Sequence, residues 1–220
     1  MSYKFSPSSL NLLKDCPRCF WLHFNKSIKR PDSIFPSLPS GMDRILKIHF
    51  DSFIGKGLPP ELVKLGGKYK LFDDASLLAE WRNNFKGISY ADKDGNVLHG
   101  AVDNILMKNG KLVVLDYKTR GFPLKEDTAN HYQNQLDIYN FLLRKNGFKT
   151  LNYAYLLFYH PSNVEPDGDV IFNTDLVKMK INVLNAEKIF LDALKVLNSD
   201  IPKASEECRF CEWVRENEGV

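Results

Sequence analysis

Three charged residues in the middle of the chain, Asp103, Asp116 and Lys118, have types and spacing that could do metal-assisted chemistry on a phosphodiester. Asp116 and Lys118 are two apart, so on a β-strand both side chains leave one face while Tyr117 points to the other. Asn109-Gly110 between two apolar runs predicts a two-residue hairpin turn, because both turn positions need positive φ. With that turn Lys108 faces Lys111, and counting back along both strands sets Asp103 opposite Asp116. Cross-strand Cβ atoms lie about 5 Å apart, and like charges at that distance destabilise a sheet. Here they sit among Val102, Ile105, Val113, Val114 and Leu115, so they demand compensation. Mg2+ or Mn2+ would supply it, magnesium in particular favouring carboxylate oxygens and water. Such a cation polarises a phosphate and acidifies water, while a lysine orients that water or offsets developing charge. The bland alternative is an ordinary ion pair of Asp116 with Lys118 near a strand end, with Asp103 a solvated acid.

Two further groups carry chemistry. Gln135 and Tyr139 are four apart and share one face of an expected helix, where an amide and a hydroxyl could steady a carboxylate, water or a nucleic-acid backbone. The alternative is a helix packed by Tyr132, Leu136, Tyr139 and Leu143, with Gln135 incidentally polar. Four cysteines form two C-x-x-C pairs, Cys16 with Cys19 and Cys208 with Cys211, near opposite ends of the sequence. In a reducing compartment that spacing points to a metal or cluster site rather than disulfides. Four thiolates suit tetrahedral zinc or an iron–sulfur cluster, and in either case the role is structural. Four unconnected buried cysteines are the remaining alternative.

These residues need elements to position them. Ser6-Pro7 reads as a cap and first helical residue, and Pro17 interrupts or restarts that helix after Cys16. Pro31, Pro36 and Pro39 mark residues 30–40 as a loop, after which 41–53 places Met42, Ile45, Leu46, His49, Phe50 and Phe53 at helical spacing. A second amphipathic helix is expected over 74–85. Strands follow at 97–107 and 111–118, then a helix capped by Asp127 or Thr128 and running to about Lys145. A strand over 151–159, a strand pair at 170–172 and 176–181, and a helix over 184–197 complete the pattern. The order predicts an α/β or α+β fold with a mixed sheet.

Composition narrows the classes. The chain has 220 residues, 44% hydrophobic and 26% charged, which excludes disordered and collagen-like classes. A net charge of +3 permits a nucleic-acid partner without requiring one. The basic start, from Lys4 to Arg30, contrasts with an acidic end carrying Glu206, Glu207, Glu212, Glu216 and Glu218. No secretory signal and no membrane-length apolar run are visible, so a cytoplasmic location away from membranes is expected.

Gly100-Ala-Val-Asp103, Val114-Leu-Asp116-Tyr-Lys118-Thr119 and Gln135-Leu-Asp-Ile-Tyr139, taken in this order, resemble the RecB-like branch of the PD-(D/E)xK nuclease superfamily. Ser6-Pro-Ser-Ser-Leu10 through Cys16-Pro-Arg resembles the opening helix and first cluster cysteine of that branch, whose cysteine-cluster members include CRISPR-associated exonucleases. The resemblance implies a restriction-endonuclease-like α/β domain over 1–220. Its nuclease core would span about 41–197, with cysteine-site elements at 6–26 and 203–215. It implies that Asp103, Asp116 and the Tyr117 carbonyl ligate the active-site metal, that Lys118 is the catalytic lysine, and that Gln135 and Tyr139 support the site and contact DNA. His49 would be a metal ligand from an early helix, although Gly41 precedes it by about two turns where the family spacing is one turn, and Ile45 takes the nearer position. Cys16, Cys19, Cys208 and Cys211 would hold a 4Fe-4S cluster, with Zn2+ as the alternative; the family arrangement is one cysteine and then three, whereas this chain has two and two. The implied activity is a DNA exonuclease acting on single strands or free ends, of the kind used in repair, recombination, phage replication or CRISPR adaptation. A catalytically silent DNA-binding module and a metal-stapled protein scaffold are the rivals.

Overall fold

The hairpin forms with the expected register. Asn109 and Gly110 both take positive φ, 50° and 71°, and join β5 (Asn104–Lys108) to β6 (Lys111–Thr119), elements being numbered in chain order. Lys108 pairs with Lys111 and Asn104 with Leu115. The computed structural model describes residues 2–217; Glu218 of the acidic end lies outside them.

β6 is central to a five-stranded mixed sheet. β2 (Tyr69–Leu71) pairs antiparallel with β5, while β7 (Tyr153–Val164) runs parallel to β6 and antiparallel to β8 (Val170–Lys180). A parallel neighbour needs a long crossover, and α5 (Gln133–Lys145) supplies it. Alternation along β6 then sorts the core. Leu112 and Val114 join α5 residues Leu136, Ile138 and Leu142 on one face, whereas Val113, Leu115 and Tyr117 meet Leu46 and Phe50 on the other. The second group comes from α3 (Ser37–Asp51). Each fully buried Leu or Phe of these layers contributes about 1.5–3 kcal/mol.

Several elements differ from the sequence expectation. The anticipated strand over 97–107 breaks at residues 101–103: β4 (Val97–Gly100) belongs to a separate three-stranded sheet, between β1 (Lys4–Phe5) and β3 (Ile88–Ala91). The crossing is tight at Gly100, where an added Cβ would lie 2.7 Å from Tyr139 Cε1, so glycine lets the chain pass beneath α5. α3 begins at Ser37 rather than Gly41; Pro39 falls in the first turn, where no intrahelical donor is needed. α4 (Ala75–Trp81) ends before Phe85, because Asn83 Oδ1 accepts from the amides of Phe85 and Lys86 and turns the chain. Residues 128–132 form a tight 3-10 turn before α5, and Asp127 makes no side-chain cap. The pair expected near 170–181 is one strand, β8. α6 (Val183–Leu197) starts as expected, with Asn182 Oδ1 accepting from the amides of Leu184 and Asn185.

The chain ends meet. Ser6 caps α1 (Pro7–Asp15) through a reciprocal bond with Ser9, and Pro17 restarts the chain as α2 (Pro17–Lys26). α7 (Arg209–Glu216), which had no sequence signal, brings the carboxyl-terminal cysteines to the α1–α2 turn. Among the described residues, no helix is long and apolar enough to cross a membrane.

Candidate active site and cysteine cluster

Two carboxylates converge at the mouth of the hairpin. Asp116, 1% exposed, stands near the end of β6, and Asp103 lies one residue before β5, in the bend between the sheets. Asp103 Oδ2 accepts from the Tyr117 amide at 2.9 Å, which fixes this side chain across the open end of the ladder. Its carbonyl accepts from Arg82 Nε at 2.7 Å, and Arg82 Nη1 also grips both oxygens of Asp51 at 2.9 and 2.8 Å. Asp116 Oδ1 accepts from Gln135 Nε2 at 3.3 Å, and the same amide donates to Tyr139 Oη at 2.7 Å. Asp116 Oδ2 is buried without a hydrogen bond and is left to the Lys118 ammonium.

Strand alternation does what was expected of Tyr117: its ring packs on Phe50 at 4.7 Å on the opposite face, and its hydroxyl accepts from Asn104 Nδ2 at 2.7 Å. The charges shift one another. Burial first, then the neighbouring Asp116, holds the Asp103 carboxyl above its ordinary range, against the pull of Lys118 and Lys47. Burial lowers the affinity of Lys118 for its proton, but Asp116 and Asp103 outweigh it and the net shift is upward, so the ammonium is firmly charged. Burial and the same two acids push the Tyr139 hydroxyl well above its usual value. The corner therefore holds a concentrated negative potential matched by ammonium groups, and two hard oxygen donors of this kind fit a divalent cation.

The structure brings Asp103, Asp116, Lys118, Gln135 and Tyr139 together, but not His49. His49 Nε2 pairs with Glu61 at 3.0 Å, and its ring lies against Phe50 and Phe53. The helix turns it to Glu61 here, and its role as a metal ligand is a proposal. What α3 presents to the site instead is Lys47, whose Nζ lies 3.4 Å from Asp103 Oδ1 and 2.8 Å from Asp43 Oδ2. Asp43 and Lys47 were missed in the sequence. The available signal was their four-residue spacing beside the buried Leu46 and Phe50. Tyr132, expected only to pack, also lies under Lys118, with Nζ 4.8 Å from its ring centre.

The four cysteines form a second site. Sγ–Sγ separations are 3.5 Å for Cys19–Cys211, 3.6 Å for Cys19–Cys208 and 3.9 Å for Cys16–Cys211, and all four sulfurs lie within 4.8 Å of one another. None is in a disulfide. Sulfurs about 2.3 Å from one tetrahedral ion would be about 3.8 Å apart, so the set can hold a metal. Burial raises the Cys16 thiol, but the backbone amides of Cys19 and Ser205 and the neighbouring thiols outweigh it, bringing the group down to about 6. Burial and the surrounding thiols push Cys211 upward.

A family model for the PD-(D/E)XK nuclease superfamily matches residues 67–215, a span that holds both aspartates, Lys118, Gln135, Tyr139 and the carboxyl-terminal cysteine pair. Among solved structures, the crystal structure of SSO0001 aligns at 15% identity with a TM-score of 0.43, over 90% of this chain and 79% of that chain. No curated protein matches.

Proposed function

Because this chain belongs to the PD-(D/E)XK nuclease superfamily, we propose that it is a DNA nuclease that uses Mg2+ or Mn2+ and works as an exonuclease on single-stranded or free ends. The observation that carries this reading is the meeting of buried Asp116 with half-buried Asp103, with Lys118 beside them. Asp103, Asp116 and the Tyr117 carbonyl would hold the cation, with Asp43 a further carboxylate at the rim. When bound, the cation stabilises charge on phosphoryl oxygens and makes water a better nucleophile at neutral pH. Lys118 adds a fixed positive charge where negative charge develops. Gln135 holds Asp116 Oδ1 in one orientation, and Tyr139 steadies the Gln135 amide from behind. Nucleic acid is the substrate class that family membership implies; the RecB-like assignment and the preference for DNA ends rest on the sequence resemblance.

For the cysteine site we propose a structural metal. The close sulfur spacing supports a single tetrahedral ion such as Zn2+. The 4Fe-4S cluster implied by resemblance is the second reading, since four irons would hold the sulfurs further apart. A brown protein on anaerobic purification would favour that second reading, and a colourless, zinc-rich one the first.

The test of function is cleavage of linear and covalently closed circular DNA, single- and double-stranded, with Mg2+, Mn2+ or chelator. The expected result is loss of linear DNA only, with circular forms intact and chelator abolishing cleavage. Binding without cleavage of every substrate would replace the nuclease reading with that of a silent DNA-binding module. Absence of both binding and cleavage would leave the protein-scaffold reading.

A further inference from the structure

From Lys26 to Gly41 the chain is exposed at every position except Arg30. Within it, the linker of residues 27–36 joins α2, which carries Cys19, to α3, which carries Asp43 and Lys47. Arg30 is the one side chain that ties it down, and it does so on the cysteine site. Nη2 donates to Cys208 Sγ at 3.6 Å, the guanidinium stacks 4.7 Å from the Phe210 ring centre, and Nη1 meets Asp15 Oδ2 at 3.4 Å. Nε is buried there with no partner.

These contacts make little sense beside four neutral thiols. A largely buried guanidinium loses hydration, and the thiols return only weak acceptors. Asp15 is 61% exposed, so that pair contributes little. Four thiolates around a dication reverse the balance, because the centre then carries two net negative charges spread over sulfurs that accept from a planar cation. We propose that Arg30 is a positioning residue of the four-cysteine site: its guanidinium offsets the charge of the metal–thiolate centre, and the same contact pins the α2–α3 linker. The proposal rests on the metal-site part of the functional reading and not on nuclease activity. Thermodynamic reciprocity sharpens it. If metal strengthens the docking of Arg30, Arg30 must strengthen metal binding by the same factor.

Anaerobic titration of the reduced, metal-free full chain with Co2+, followed by thiolate-to-cobalt absorption, measures this directly. Arg30→Ala should weaken cobalt binding about tenfold or more, the usual effect of removing a group that supports metal ligands. Arg30→Lys, which keeps the charge but not the planar fork, should fall between. Trypsin cleavage after Lys29, exposed on the linker, gives a second readout. Cobalt should slow this cleavage in the wild type and leave it unchanged in Arg30→Ala. Equal cobalt affinity in the two proteins, or cleavage still slowed by cobalt in the variant, overturns the proposal. A wild type without thiolate–cobalt absorption overturns it together with the metal-site reading, whereas DNA left uncut bears on the nuclease reading alone.

Discussion

The two ligand-rich corners of this molecule are assembled in opposite ways. The carboxylate corner is local: one two-residue turn and strict alternation bring Asp103 and Asp116 together, thirteen residues apart, and the Tyr117 amide locks the pair. The cysteine corner is global, joining positions 189 and 192 residues apart through helices from both ends of the chain. Their counter-charges differ too. Lysines, on flexible stems, face the carboxylates, and a planar guanidinium stacked on an aromatic ring faces the sulfurs. A site built on a hairpin keeps its shape when its ion leaves, while a site that closes the fold makes its ion part of stability.

That contrast is open to direct attack. The largest effect should come from Lys118→Ala, which should lower kcat about 10²–10³-fold. Far-UV circular dichroism should still show a folded protein, the denaturant midpoint should fall because buried Asp116 loses its counter-charge, and a kcat loss below tenfold would reduce Lys118 to a counter-ion. Next, Cys208→Ser should release the structural metal and cost about 3–4 kcal/mol for a site saturated at 100–1,000 Kd. Calorimetric Mg2+ binding at the carboxylate corner should persist; its loss would show that the two corners are one cooperative unit. Gly100→Ala drives a methyl into Tyr139 and should destabilise by about 1–3 kcal/mol. It should also slow cleavage, because Tyr139 and Gln135 move together, and unchanged kinetics would remove Tyr139 from the support of Asp116. The smallest effect concerns pH. The Asp103 carboxyl sits above its ordinary range, so the folded chain keeps this proton to higher pH than the unfolded chain does. Stability of the metal-free protein should therefore fall as pH rises from the ordinary aspartate range through the raised value, and Mg2+ should reverse the trend. Tm against pH, with and without Mg2+, checks the sign.

What was legible in the sequence follows the same division. The hairpin, its register and the shared face of Asp116 and Lys118 were readable, because a period of two and an Asn-Gly turn leave little freedom. The cap at Ser6 was readable for similar reasons. The break between β4 and β5 was not, since an apolar run reads as one strand until the steric demand of Tyr139 at Gly100 is known. Nor was the side of α3 that meets the carboxylates: helix rotation sets Lys47 beside Asp103 and His49 beside Glu61. β1 and β3 are short and exist because β4 pairs with both, while α7 buries none of its own residues and is held where Cys208 enters the cysteine cluster.

The clamp on Asp103 has a consequence for binding. Its Oδ2 is committed to a main-chain amide and its backbone to Arg82, so only Oδ1 is free to change partner, and Lys47 stands over it. An incoming solute must trade places with a primary amine there rather than with bulk solvent. Occupying that oxygen therefore requires one lysine side chain, 24% exposed, to give up its contact.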